Sequence, residues 1–451
     1  MKHLAPLLVS CTATFLLLAY STIVTVAMPS ISADLSVGFG ALQWVIDVYT
    51  IALAVLLVPL GAVSDRLGRR TLLVGSLVAF GCASLLCALA PTSSVLVIGR
   101  CGQGVAAASL FATTLPLLEA SYSGAAKHRA FAIWGAVSGL AAAVGNVSGG
   151  LLAAVGWRLV FALAVPIAAG ATWMAIKYLP NDRPLERRRI DVPGMVSLSA
   201  TIALLVIATL VFSDRGLTWT VSVLATLCAA ALITFAHYQR RNPETAVIPR
   251  VLMHNRTFRT AVVIAAAYYF AAFGILPAIS SWLHDALALS PAQIAMVLSV
   301  QPLVFFATSL LLGPRIGPTR RDRAFAAGLL LCAAGCLALA LPTAVAGWAG
   351  ILPAMALTGI GAGVISPALP AAAMQDVAPT QQGVSSSTVN ASRQFGISLG
   401  VAACAISVRA FEPGSDPHRW GVTLLTIGAM TGGVCVAAAL TTSARTRLRL
   451  N

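Results

Sequence analysis

One carboxylate, Asp47, stands in the stretch Trp44-Val45-Ile46-Asp47-Val48-Tyr49-Thr50, within a run that stays apolar to Gly61. The next charge is Asp65. A charged side chain at the centre of a bilayer costs about 2.5–3.5 kcal/mol on the gentler insertion scale, and less toward the surface or beside a water-filled cavity. Two chemistries suit such a group: exchange of a proton or a substrate cation with a cavity, or a structural bond to a nearby tyrosine or helix turn. Two cations also interrupt apolar runs, Arg100 with Gln103 three residues on, and Arg393 beside Asn390 and Gln394. A guanidinium in that setting can bond backbone carbonyls, hold a neighbouring helix or meet an anionic substrate group. Trp44, Trp134, Tyr268, Tyr269, Phe270 and Phe305 could line a cavity, as could Gln301 in an otherwise apolar run. Core packing or an interfacial belt is the plainer role for any one aromatic.

Other chemistries find no support. The six histidines lie at loops or helix ends, none spaced to serve a buried nucleophile, and no Walker loop occurs. All nine cysteines fall within apolar runs without histidine or carboxylate partners, which suggests packing rather than a disulfide framework or zinc site. The net charge of +15 comes from short Arg and Lys clusters between apolar runs, not from a stripe interleaved with aromatics, so no nucleic-acid partner is expected.

The elements that must position these residues are membrane helices. Of the 451 residues only 10% are charged and 58% are hydrophobic, against about 25% and 45–50% in soluble chains. Apolar runs long enough to span a bilayer recur at 5–28, 41–63, 71–90, 94–117, 130–154, 158–178, 194–212, 219–237, 260–282, 291–312, 324–342, 346–368, 386–408 and 420–440. The expectation is an all-α polytopic membrane protein of about fourteen helices. The run after Lys2 is too long for a signal-peptide core and is read as the first span. An even count puts both termini on one side. Most arginines and lysines fall on that side, leaving Arg158, Arg215, Arg409 and Arg419 opposite, so both termini are expected in the cytoplasm. The longer links 179–193 and 238–259 flank the central pair of spans. They suggest a six-helix bundle over 1–178, a two-helix insert over 179–259 and a second six-helix bundle over 260–451.

The most specific motif is Gly61-Ala62-Val63-Ser64-Asp65-Arg66-Leu67-Gly68-Arg69-Arg70, between the second and third spans. Gly61 and Gly68 permit a tight turn and close backbone approach. Asp65 could cap the third helix or pair with an arginine of the loop. A weak echo, Arg315-Ile316-Gly317, stands at the corresponding place in the second half. The spacing G-x-x-x-D-R-x-G-R-R matches the signature loop of the major facilitator superfamily. Arg100-Cys101-Gly102-Gln103-Gly104 resembles its R-x-x-Q-G pattern. Gly145-Asn146-Val147-Ser148-Gly149-Gly150 resembles the G-P-x-x-G-G antiporter motif, with Asn146 in place of proline. Segments 21–31, 156–170, 248–258, 359–369 and 389–400 resemble, in order, the fourteen-helix drug:proton antiporter branch. Just before the first of these, in the matching stretch Ala19–Pro29, Tyr20 stands where relatives usually carry an acid.

That resemblance implies two helix bundles that alternate access to a mid-membrane site, as in other transporters built from repeats. It further implies proton coupling through Asp47, Arg100 and Gln103, and a cavity drawing on Tyr20, Trp44, Trp134, Tyr268, Tyr269, Gln301, Phe305, Asn390 and Arg393. The expected function is export of amphipathic small molecules such as antibiotics, driven by the proton gradient without a bound cofactor. With one deep acid, neutral, zwitterionic or weakly acidic substrates are favoured. A monomer in a bacterial inner membrane is implied. A proton-coupled importer or metabolite permease of the same fold is the alternative, separated from an exporter by the direction of transport.

Overall fold

In the bilayer every backbone N–H and C=O must be satisfied within its own segment, so long apolar runs resolve into helices. A computed structural model describes residues 3–37, 39–180, 191–241, 245–339, 347–412, 414 and 416–447. Arg183, Arg187, Arg188 and Arg189 therefore lie outside the described residues.

The first half comprises α1 (Ala5–Leu35), α2 (Phe39–Leu67), α3 (Arg69–Ala88), α4 (Ser93–Ser121), α5 (Gly124–Val155), α6 (Trp157–Ala162) and α7 (Ala164–Tyr178). Next come α8 (Val192–Arg215), α9 (Trp219–Arg241) and the short α10 (Arg250–His254). The second half comprises α11 (Arg256–Ala272), α12 (Leu276–Asp285), α13 (Pro291–Leu312), α14 (Arg321–Ala338), α15 (Leu352–Ala373), α16 (Gln382–Phe411) and α17 (Pro417–Arg447).

Thirteen stretches of the described residues are long and apolar enough to cross a membrane. The difference from fourteen is α14, whose first turn carries Arg321, Asp322 and Arg323. It packs between α15 and α17 all the same. Two expected spans are broken: 158–178 is α6 plus α7, and 260–282 falls across α11 and α12. The second break has a local cause. Pro277 has no N–H to give the Phe273 carbonyl, and Gly274 lies so close to α16 that a Cβ there would sit 2.6 Å from the Gly400 Cα.

Successive spans alternate in direction, so α1 begins and α17 ends on the same face. Arg66, Arg69, Arg70, Lys127, Arg256, Arg259, Arg320 and Arg321 lie at that end of their helices, and it is called the basic face below. Buried side chains form two cores. One runs from Val9 to Leu179 with Met374 added; the other runs from Leu252 to Ala439. Between them α8 touches α2 and α16. Its partner α9 packs on α8 and buries only Val221 and Gln239.

Candidate functional site

Arg100 ties three helices of the first half to α4. Its side chain is fully buried; Nε donates to the Val45 carbonyl of α2 at 2.9 Å and Nη1 to the Tyr20 carbonyl of α1 at 3.2 Å. Nη1 also donates to Gln103 Oε1 at 2.9 Å, and Gln103 Nε2 donates to Ser84 Oγ of α3 at 2.7 Å. The Tyr49 ring covers the guanidinium at 4.1 Å, and the Tyr49 hydroxyl donates to the Leu17 carbonyl. Carbonyls at mid-helix are already engaged by i→i+4 bonds, so these are second acceptances that use the remaining lone pair. Arg100 and Gln103 thus sit together, and Ser84 is a member of the group that the sequence pattern does not mark.

Asp47 stands apart from them. Val45 and Tyr49, each two residues away, face Arg100, and two residues turn an α-helix by about 200°. Asp47 is half-buried, and its recorded hydrogen bond is from Gln43 Nε2 at 3.4 Å, one turn back on the same helix. Trp44 is 55% exposed beside it. Tyr20, by contrast, is buried in the first-half core with its hydroxyl on the Val160 carbonyl at 2.6 Å and its ring edge-on to Phe80.

The seam between the halves brings together most of the remaining candidates. Trp134 of α5 is fully buried, its ring 6.0 Å from Phe111 and 5.8 Å from the Arg393 guanidinium of α16. Arg393 also faces the Tyr269 ring at 5.6 Å and donates through Nη1 to Asn390 Oδ1 at 3.0 Å. Tyr268, Asn390 and Phe305 are buried, and Tyr269 stacks on Phe273 at 4.5 Å. A Cβ on Gly139 of α5 would overlap Phe305 and come within 2.8 Å of the Pro302 carbonyl, so α5 and α13 touch backbone to backbone there. Gln301 lies deeper in the second half, where Nε2 donates to Ala272 at 2.6 Å and to Thr358 Oγ1 at 3.2 Å. Ala272 ends α11, so Gln301 caps a carbonyl exposed by the helix break.

At the basic face the signature loop grips the other half. Asp65 caps α16 rather than the third helix: its two oxygens accept from the Gly383 and Val384 N–H groups at 2.7 and 3.0 Å. These are orphan donors of the first turn of α16, where the helix dipole also favours a negative charge. Arg69 donates to Pro116 at 2.8 Å within its own half, and to the Pro379 carbonyl and Gln382 Oε1, both at 2.9 Å, across the seam. Gly61 and Gly383 make this possible, because a Cβ on Gly61 would overlap Ser387 and stand 2.6 Å from the Gly383 carbonyl. Gly68 has φ +94°, a conformation that glycine adopts without steric cost. Arg70 caps α7 through Ile176 at 2.7 Å, and Arg66 is exposed.

The second half carries a counterpart that the R-x-G echo does not locate. Arg321 begins α14 as Arg69 begins α3, is 7% exposed and donates to Gln375 just past α15. Beside it a cavity of about 380 Å³ opens between the halves, lined by residues including Glu119, Lys127, His128 and Asp376.

In α5, Gly145 and Gly149 let the helix lie on α1. A Cβ would come within 2.8 Å of the Ala19 carbonyl at the first and 2.6 Å of the Ile23 carbonyl at the second. Gly150 is partly buried, and the Asn146 side chain lies outside the described residues. At the opposite face Asp34 pairs with Arg158 and accepts from Trp157 Nε1 at 3.0 Å. The Arg158 hydrogen bond, then that of Trp157, holds the Asp34 carboxyl below the usual carboxylate range.

Comparison with known proteins is consistent over nearly the whole chain. The Major Facilitator Superfamily family model matches residues 10–401 and 261–450. The puromycin resistance protein pur8 of Streptomyces alboniger is 32% identical over 88% of this chain and 80% of its own length. The riboflavin transporter RibZ of Clostridioides difficile is 26% identical over 88% of this chain and 86% of its own. The crystal structure of the human organic anion transporter MFSD10 superimposes with a TM-score of 0.68 at 17% identity, covering 98% of this chain and 99% of that one, and supports the fold alone.

Proposed function

The chain belongs to the major facilitator superfamily of membrane transporters, and from that premise we propose that it exports amphipathic small molecules in exchange for protons. Residues 1–178 and 260–451 are taken as the bodies that rock against each other, with 179–259 as an insert. The positive-inside bias makes the basic face cytoplasmic. The observation that carries the proposal is where the halves hold each other. Asp65 and Arg69 bridge them at the basic face, and Ser386 to Ala112 (3.3 Å) and Ser309 to Ala132 (3.2 Å) bridge them further in. All four lie in the basic-face half of their helices, as in a transporter closed to the cytoplasm.

In that conformation Asp47 lies about 12 Å along α2 from its outer end. It has no recorded ion pair among the described residues and is free to take a proton from outside. Protonation removes the cost of carrying a charge through the rocking step. Return to the inward-open state would release the proton, and substrate binding would reset the cycle. One proton moving through about 100 mV supplies roughly 2.3 kcal/mol, enough for a gradient of about fifty-fold. Kinship with a puromycin resistance protein supports export of antibiotic-like compounds.

The test is transport in proteoliposomes of known orientation with an imposed pH gradient. Wild type should drive an amphipathic dye out of the cytoplasmic side. Asp47→Asn should lose gradient-driven transport yet retain dye exchange without a gradient. Full gradient-driven export by Asp47→Asn would remove Asp47 from the mechanism. Accumulation in the opposite direction would remove the export reading.

A further inference from the structure

The two arginines buried deepest among the described residues, Arg100 and Arg393, are satisfied to very different degrees. Arg100 has Nε and Nη1 matched to two backbone carbonyls and an amide oxygen, with a tyrosine ring over its face. Only its Nη2 lacks an acceptor. That is the coordination of a clamp.

Arg393 is 2% exposed and makes one recorded hydrogen bond, to Asn390; Nε and Nη2 are both buried without an acceptor. Two neighbours repeat the pattern. Trp134 Nε1 and Asn390 Nδ2 are also buried without a hydrogen bond. Tyr268 lies within the field of the Arg393 charge, and Trp134 and Tyr269 flank its guanidinium. Four polar atoms from Arg393, Trp134 and Asn390 therefore stand unpaired in one place, with the Tyr268 hydroxyl shared between Tyr269 and Ser366 beside them. Every one of the four can donate, and none can accept. Buried donors are ordinarily paired, and clusters of exceptions call for a specific explanation. A buried cation without a counter-ion is the costliest member of such a set.

Among the described residues, the acids within the helices do not fill the gap. Asp65 is engaged by the start of α16, Glu119 by Lys127, and Asp47 lies toward the opposite face. Arg393 is eleven residues into α16 and Trp134 ten into α5, each about 15 Å from the basic face, so the cluster sits near mid-membrane. One donor comes from the first half and three residues come from the second. An acceptor placed among them would touch both. From the same spot Tyr269 and Phe273 continue as a stacked aromatic wall, both partly exposed.

We propose that this cluster is an anion-selective subsite of the transport path, where Arg393, Trp134, Tyr268 and Asn390 take the carboxylate, phenolate or enolate end of a substrate whose aromatic body lies along Tyr269 and Phe273. The proposal rests on the reading of the seam as the transport path and names its substrate class as amphipathic acids. It does not depend on the direction of transport.

The experiment is equilibrium binding to the full-length protein in nanodiscs, without a gradient, of three radiolabelled probes on one skeleton: naphthaleneacetate, naphthaleneacetamide and naphthylmethylammonium. A charge-assisted pair at the buried guanidinium should make the carboxylate bind at least about tenfold more tightly than the ammonium. Arg393→Gln should abolish that preference and Arg393→Lys should keep part of it. Trp134→Phe, which retains a ring and removes only the indole N–H, should weaken the carboxylate about threefold and leave the amide unchanged. Equal binding of the three probes, tighter binding of the ammonium, or a carboxylate preference that survives in folded Arg393→Gln would overturn the proposal. If Arg393→Gln does not fold, unchanged carboxylate affinity in Trp134→Phe overturns it instead. Export is read separately in the proteoliposome assay, so a carboxylate preference with transport in the wrong direction would sink the exporter and leave the subsite standing.

Discussion

Replacing Asp65 with asparagine should open the basic face. In the structure the carboxylate accepts two N–H groups from the first turn of α16, at 2.7 and 3.0 Å, and is 8% exposed. Asparagine can offer its carbonyl to one of them and must turn an N–H₂ toward the other. A hydrogen bond to a charged group contributes about 1.5–3 kcal/mol, and a carboxylate at a helix N-terminus about 0.3–1 kcal/mol more. When the seam opens, water recovers much of this, because both the carboxylate and the freed N–H groups become hydrated. A net bias of about 1–2 kcal/mol remains, which is a factor of roughly 5–30 in the ratio of closed to open. Spin labels on Leu67→Cys and Ala378→Cys, both exposed and on opposite sides of the seam, would report that ratio as two populations of distances. The background should first lose Cys82, which is exposed, and the half-buried Cys11, Cys101 and Cys228. Asp65→Asn should enlarge the long-distance population at least fivefold, with Asp65→Glu between it and wild type. An unchanged distribution in folded Asp65→Asn would refute the assignment of this carboxylate as the lock.

Two further outcomes follow from geometry and charge. Gly383→Ala should block closure, because the new methyl would overlap the Gly61 carbonyl and stand 2.6 Å from Asp65 Oδ1, and backbone cannot yield as a side chain does; transport should fall at least about tenfold at normal membrane levels, and near-normal rates would count against backbone contact as the closing step. At the opposite face the depressed Asp34 carboxyl should keep its bonds to Arg158 and Trp157 above the ordinary carboxylate value of about 3.9 and lose them only as pH falls through the lower folded value. Hydrogen exchange at the α1 and α6 ends should therefore be unchanged from pH 7 to about pH 4.5, and a loss of protection already at pH 6 would contradict the assignment.

Much of the fold is legible because membrane helices write their length in apolar runs. The α2–α3 loop is equally plain, since Gly61, Asp65, Gly68 and Arg69 are all required by one tight contact. What the contact touches is not legible. Asp65 meets Gly383 and Val384 more than 300 residues away in sequence, and nothing local distinguishes that helix start from that of α3. The break at Gly274 is hidden for a similar reason: Pro277 hints at it, but the close approach of Gly400 that stabilises it is a tertiary fact. Arg321 escapes because its match to Arg69 is one of helix position, three residues out of register with the R-x-G echo. Asp47 and Arg100 are both visible as intramembrane charges, yet the turn of α2 that sets them on different sides is a matter of angle. Tyr20 looks like a cavity residue by its place in the pattern, but its hydroxyl is committed to Val160.

The helix α8 lies against α2 and α16 together, the two helices joined by Asp65 and Gly383. It is fastened to α2 through Ser199 Oγ and the Val55 carbonyl at 2.9 Å. If the halves rock as proposed and α2 parts from α16, a slit would otherwise run along the wall of the protein and admit lipid tails. With α8 anchored on one of its edges, that slit is shuttered. Acyl chains would then be kept out of the widening gap, and a greasy cargo dissolved in the membrane would find no side door there.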